Sequence, residues 1–336
     1  MRSTPLSSSA RRVMTALTAG LVVLAAVVLG AGRPASAIAQ GDDAPLGKYP
    51  FAVKITDLDI PTADGGTRDS ACSGGLISPR WVLTAGHCFK NINGEHVSRT
   101  VARKTIATIG RTDLTGDDGY DIDIVAVKQA KGGADVALAK LKKPVFEVTP
   151  LKLGRKKPKI GTEVRLTGFG LTDGEAKKLP KRMQTGTFEV VSVTGKEMGV
   201  VGSSPAETTS ACKHDSGGPY FTEGDDGTAT VVGVVSHGPT CPHASTDQAG
   251  RIDNLVPWIQ SIIGKDLQSS PKPKPSPSDT VARAAGAKSE ARPAGSVVDG
   301  VPIWVWVAVP VVLLGTIGLV AAAGAGGHKG KRRRRG

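Results

Sequence analysis

The chain is 336 residues long, with a formal net charge of +13, 4% aromatic residues and four cysteines. Four arginines within residues 1–37 and six basic residues between Lys329 and Arg335 carry most of that charge and leave +3 for everything between. The charge is therefore a matter of targeting and topology, and with so few aromatics to stack on bases a nucleic-acid partner is excluded.

Residues 1–37 read as a signal peptide. Arg11 and Arg12 form its basic start, residues 13–32 are mostly apolar, and Ala35-Ser36-Ala37 is a small-residue cleavage site. A twin-arginine route and the general secretory route both stay open. Cleavage after Ala37 makes Ile38 the new N-terminus. From residue 47 the chain runs in short β-like segments broken by Gly, Asp and Pro: Phe51–Ile55, Trp81–Thr84, Val101–Gly110 and Ile122–Gln129. Lys142–Ile160 is basic and contains prolines, as a connection between two halves would. Val164–Gly170 and Phe188–Val193 resume the β pattern. Such punctuation predicts an all-β sandwich or barrel. Val256–Ile263 has helical apolar spacing, with Gly264 expected to stop it.

Beyond residue 264 the character changes. Residues 265–300 carry Pro271, Pro273, Pro275 and Pro277 and then Ala, Gly, Ser and charges, the composition of a linker without a core. Residues 301–327 hold no ionisable side chain and are long enough to cross a bilayer as one helix. The basic residues 328–336 follow directly, which predicts a cytoplasmic tail with the preceding domain outside. Cysteines in an exported chain, with no Cys-x-x-Cys, point to disulfides; no metal and no cofactor is implied.

Three stretches carry chemistry. Cys212-Lys213-His214-Asp215-Ser216-Gly217-Gly218-Pro219 presents a serine on a glycine-rich loop. Thr84-Ala85-Gly86-His87-Cys88 supplies a base, and Asp135-Val136-Ala137-Leu138-Ala139-Lys140-Leu141 a carboxylate to orient it. Asp121 and Asp123 are rivals for that role but lack the apolar sequel. A His, an Asp and a Ser, in that chain order, form a nucleophile, general base and orienting acid. Over roughly residues 38–264 the chain resembles the trypsin/chymotrypsin family of serine proteases. The resemblance implies two six-stranded antiparallel β-barrels with the site in the cleft between them. It also implies His87, Asp135 and Ser216 as the triad, and disulfides Cys72–Cys88 and Cys212–Cys241. The first bridge would close a loop of about fifteen residues and stabilise the His loop by about 3 kcal/mol. The ammonium of Ile38 would pair with Asp215, so that signal cleavage itself yields the active form.

The resemblance also locates departures. His214 stands where the family has Gly, at a position whose N–H joins that of Ser216 in an oxyanion hole; its side chain is expected to point to solvent. Phe169 and His237 replace tryptophans. Ser236 would sit beside Asp135, and Gly238 would keep a side-chain pocket open. Ser210 stands where trypsin-like members carry Asp, which favours an apolar residue before the scissile bond. Asp247, on the opposite wall by an ungapped count, could instead recruit Lys or Arg, and the balance leans to apolar. His96 has no such context and is expected to be solvated. The function implied is an exported, membrane-anchored serine endopeptidase acting on proteins or peptides, a monomer, with shedding left open. The alternative is a weak or inactive homologue that serves as a surface binding protein.

Overall fold

The computed structural model describes residues 38–268. The signal peptide, most of the linker, the membrane span and the basic tail lie outside the described residues. No helix among the described residues is long and apolar enough to cross a membrane.

Fourteen strands, one α-helix and two short 3-10 helices are described. A short β1 (Asp42–Asp43) precedes six strands: β2 (Ala52–Pro61), β3 (Thr67–Ser78), β4 (Trp81–Thr84), β5 (Lys104–Ile109), β6 (Tyr120–Gln129) and β7 (Ala137–Leu141). These close into an antiparallel barrel in the order β2-β3-β4-β7-β6-β5. Full closure leaves no unpaired edge. After β8 (Lys152–Leu153) come β9 (Glu163–Gly168), β10 (Gln184–Val193), β11 (Glu197–Ser204), β12 (Pro219–Glu223), β13 (Ala229–His237) and β14 (Asp247–Arg251). The sheet runs β10-β11-β14-β13-β12-β9 and returns to its start through the β9–β10 pairing, for example Thr187↔Arg165. A second six-stranded barrel results, with β1 added to β10 and β8 running parallel to β13. The predicted all-β, two-barrel architecture is thus the one observed.

Each barrel is filled from its own strands, and a shared layer joins them. Ile38, Val164, Leu166, Phe188, Val190, Met198, Tyr220 and Val235 pack inside the second barrel. Between the barrels, the Tyr49, Phe51 and Phe221 rings meet edge-on, with Phe51 and Phe221 centroids 5.1 Å apart, an arrangement that adds to their area burial. Helix α1 (Val256–Gln268) buries Val256, Ile259 and Ile263 on one face and packs against β3. It runs past Gly264, which was expected to end it. A single interior glycine costs only about 1 kcal/mol and does not stop a helix already anchored by packing.

One carboxylate inside the first barrel yields a pH prediction. Asp57 on β2 is buried, and burial raises its carboxyl to about 6 although the Thr105 hydroxyl donates to it at 2.6 Å. A carboxyl raised in the folded state contributes stability that is complete below the unfolded value near 4 and is lost as pH climbs through 6. Asp57→Asn should therefore raise the unfolding free energy by about 3 kcal/mol near pH 8 and by almost nothing below about pH 4. Denaturant titrations at both pH values check this, and equal gains would contradict it.

Candidate active site

The three motifs converge at the line between the barrels. His87 lies in a single turn of 3-10 helix, Gly86–Phe89, directly after β4. Asp135 sits two residues before β7, which pairs with β4 through Thr84↔Ala137. Neighbouring strands of one closed barrel thereby deliver both residues to the same end. The His87 ring Nδ1 is 2.7 Å from Asp135 Oδ2, and the His87 amide donates to Oδ1 at 2.8 Å. Ser236 Oγ, at the end of β13, donates to the same Oδ2 at 2.7 Å. Burial alone would raise the Asp135 carboxyl, but the His87 ring and amide and the Ser236 hydroxyl outweigh it and hold the group at about 2. An ionised acceptor fixes the His87 proton on Nδ1 and leaves Nε2 free as a base. Asp121 and Asp123 are elsewhere, paired with Arg111 and Lys142 on the barrel surface.

Ser216 comes from the second barrel, in the loop before β12. Backbone bonds pin that loop to both barrels. The Ser73 amide on β3 donates to the Ser216 carbonyl at 2.9 Å, the Gly217 amide to the Val235 carbonyl on β13 at 2.8 Å, and the Val235 amide to the Gly218 carbonyl at 3.0 Å. Gly217 has φ +82°, and a Cβ there would fall 2.0 Å from Thr84 Oγ1 and 2.6 Å from the Ala85 amide, next to the His87 turn. Only glycine allows the serine loop to approach the histidine strand so closely. The disulfides Cys72–Cys88 and Cys212–Cys241 are both formed, one beside His87 and one beside the serine loop.

Asp215 is fully buried. Its carboxylate accepts the Gly170 amide at 2.8 Å and the Cys212 amide at 3.0 Å. Burial pushes its carboxyl well above the usual range, these two bonds oppose it, and nearby Asp247 adds to the rise. Ile38 is itself fully buried, and Ala39 is bridged to Ser210 just upstream of this loop.

His214 departs from expectation. Its side chain turns inward, with ring Nδ1 2.8 Å from the Ala71 carbonyl on β3. A carbonyl only accepts, so Nδ1 carries the proton. The backbone adopts φ +76°, left-handed and unfavourable for a residue with a Cβ. The side-chain bond to the opposite barrel offsets that strain, while Ser73 Oγ donates to the His214 carbonyl and accepts the Phe169 amide. Removal of the ring should therefore hurt more when the Cβ stays. His214→Ala is expected to lose about 1–2 kcal/mol of stability, whereas His214→Gly, freed of the strain, stays close to the parent. Denaturant midpoints of the two variants decide; an alanine variant at least as stable as the glycine variant would contradict the offset.

Two depressions lie beside these residues. One is lined by His87, His96, Asp135, Glu197, Ser236 and His237. His96 was expected merely to be solvated; it is exposed but reaches this depression, because a Lys90↔His96 bridge folds its loop back. The other, 240 Å³, opens beside Ser216 and is walled by Ala211, Val235, Gly238, Cys241 and Asp247. Ser236 borders both. Ser210 is buried behind the second pocket without lining it, its Oγ accepting the His243 amide. Sequence reasoning missed Ser73, His243 and Gln129, whose side-chain amide donates to the Gly86 carbonyl at 2.9 Å and braces the His87 turn. Ser73 and Gln129 act through partners distant in sequence, whereas His243 meets Asp247 only four residues on, with no motif to mark the pair. No group of acidic, His or Cys side chains among the described residues could hold a metal ion.

A sequence model of the Trypsin family matches residues 38–259. The chain belongs to the trypsin family of serine proteases. Curated members similar to it include chymotrypsin-2 of Vespa crabro, 29% identical, with 66% of this chain and 98% of that protein covered. Trypsin Blo t 3 of Blomia tropicalis is 25% identical, covering 66% and 85% of the two chains. Urokinase-type plasminogen activator of Gallus gallus is 28% identical over 58% of this chain, and the match spans about half of that protein, 51%. The trypsin-family domain thus accounts for the barrels, the cleft and both disulfides.

Proposed function

We propose that the chain is an exported, membrane-tethered serine endopeptidase, with His87, Asp135 and Ser216 as its triad. The observation that carries this reading is the ionised Asp135 bonded to both the ring and the amide of His87, in a depression that shares Ser236 with the pocket beside Ser216. His87 Nε2 takes the Ser216 proton as Oγ attacks a peptide carbonyl. The His214 and Ser216 amides hold the oxyanion, His87 returns the proton to the leaving amine, and water then releases the acyl group with His87 as base again. Cleavage after Ala37 frees the Ile38 ammonium to neutralise Asp215, whose buried carboxylate otherwise has only amide partners among the described residues. The apolar residues 301–327 anchor the domain outside the membrane.

A binding protein on the same fold is the second reading, favoured by the left-handed His214 in the oxyanion loop. Incubation of the chain with an unfolded protein substrate separates the two. Fragments that cease to form after treatment with a serine-directed fluorophosphonate, and that persist with a chelator, are expected. An intact substrate would favour the binding reading.

A further inference from the structure

The pocket beside Ser216 contains a carboxylate with a second titratable group against it. Asp247, at the start of β14, is 3% exposed, and its Oδ2 accepts the Ala211 amide at 3.0 Å. Its Oδ1 lies so near Gly238 that a Cβ there would fall 1.9 Å away, at the pocket wall. The His243 ring Nε2 is 3.2 Å from the same Oδ1. The other ring nitrogen, Nδ1, is 3.1 Å from the Ser245 carbonyl. That carbonyl can only accept, so Nδ1 holds a proton in either charge state. A neutral His243 would then turn the bare lone pair of Nε2 toward a carboxylate. The contact is favourable only when the pair holds one further proton: burial raises the Asp247 carboxyl and the His243 charge opposes that rise, and in the ionised form of the pair the proton sits on Nε2, as an imidazolium beside the carboxylate. The ring is not aligned for a hydrogen bond to Oδ1, so the attraction is one of charge. The other groups facing Asp247 are His237, which also favours its ionised form, and Asp215 and the Tyr220 hydroxyl, which lie within its field.

We propose that His243 and Asp247 form a charge lock on the side-chain pocket, which admits a lysine or arginine side chain of the substrate only when His243 gives up its proton. The inference rests on the peptidase reading for the substrate, though not for the lock itself. A basic side chain replaces the imidazolium as the counter-ion of Asp247, and one proton leaves His243 for water. Binding of a cation is thereby linked to the release of a proton, and the preference for a basic over an apolar residue rises by up to about tenfold per pH unit over the range in which that proton is lost. When the lock is closed the pocket is electrically neutral and apolar side chains are preferred. The apolar preference suggested by Ser210 and the basic one suggested by Asp247 are then two states of one pocket.

The test uses the full chain and two peptides that differ only in Lys or Leu before the scissile bond. The ratio of their kcat/KM values is followed from about pH 5 to about pH 8, the range in which histidines change charge. Ionisation of His87 cancels in the ratio. The Lys/Leu ratio is expected to rise at least tenfold with pH, to be high and flat in His243→Gln, and low and flat in Asp247→Asn. A flat ratio in the parent chain, or an undiminished pH dependence in His243→Gln, would overturn the lock. A second measurement needs no turnover: benzamidinium binding to the Ser216→Ala chain, by calorimetry in buffers of different ionisation enthalpy. Proton release on binding supports the lock even if neither peptide is cut, in which case the peptidase reading alone falls. Binding without proton release, or no binding at the upper pH, overturns it.

Discussion

Ser216→Ala should lower peptide hydrolysis by roughly a millionfold while the fold persists. Loss of the hydroxyl removes the covalent route altogether, and what remains is whatever the oxyanion amides and substrate binding contribute to direct attack by water. The backbone of Ser216 holds its loop, through the Ser73 amide and the neighbouring Gly217–Val235 bond, and alanine keeps both. The alanine chain should accordingly match the parent in denaturant midpoint. Turnover assays with several enzyme preparations measure the loss. A residual rate within about a hundredfold of the parent would mean that another group carries the reaction.

Asp135→Asn is expected to cost about ten thousandfold in kcat, through the tautomer of His87. Asp135 Oδ1 accepts the His87 amide, and Oδ2 accepts both the His87 ring and the Ser236 hydroxyl. An asparagine that keeps its carbonyl on the His87 amide must place its NH2 against those other two donors. The His87 ring answers by shifting its proton from Nδ1 to Nε2, and Nε2 can then no longer accept the proton of Ser216. Ser236, facing a donor instead of an acceptor, turns away. The pattern that identifies this cause is a fall in kcat with little change in KM, and retention of the parent's fold. A loss below tenfold would mean that the His87–Asp135 contact orients nothing that the reaction needs.

How much of this could be read from the sequence depends on whether a feature is local. The runs around His87, Asp135 and Ser216 each mark their residue by its neighbours, and short β-like runs broken by Gly, Asp and Pro mark an all-β sandwich or barrel, which the resemblance narrows to two barrels. His87 and Asp135 are in hydrogen-bond contact, and both disulfides pair as the resemblance implied. The features that escaped depend on how the chain folds back or packs. His214 was expected at the surface, but β3 brings the Ala71 carbonyl within 2.8 Å across 143 residues, and no local pattern encodes that approach. His243 has no motif around it, and its meaning comes from the turn that folds it back on Asp247. Gly264 looked like a helix stop because propensity was weighed without the packing of Ile259 and Ile263 beneath it. Asp57 gave no sign of its burial, since alternation along β2 cannot show that an acidic residue takes an inward place.

The most direct test of the central claim is the covalent modification of Ser216. The full chain is treated with a fluorophosphonate, digested and examined by mass spectrometry, beside Ser216→Ala and Asp135→Asn. Attack by an activated Oγ on phosphorus expels fluoride and leaves the phosphonyl group on that residue alone. The account predicts a stoichiometric adduct on the peptide bearing Ser216, none in the alanine variant and slow formation in the asparagine variant. A correctly processed, folded chain that stays unmodified at Ser216 would contradict it, and the fold would then be serving recognition instead of catalysis.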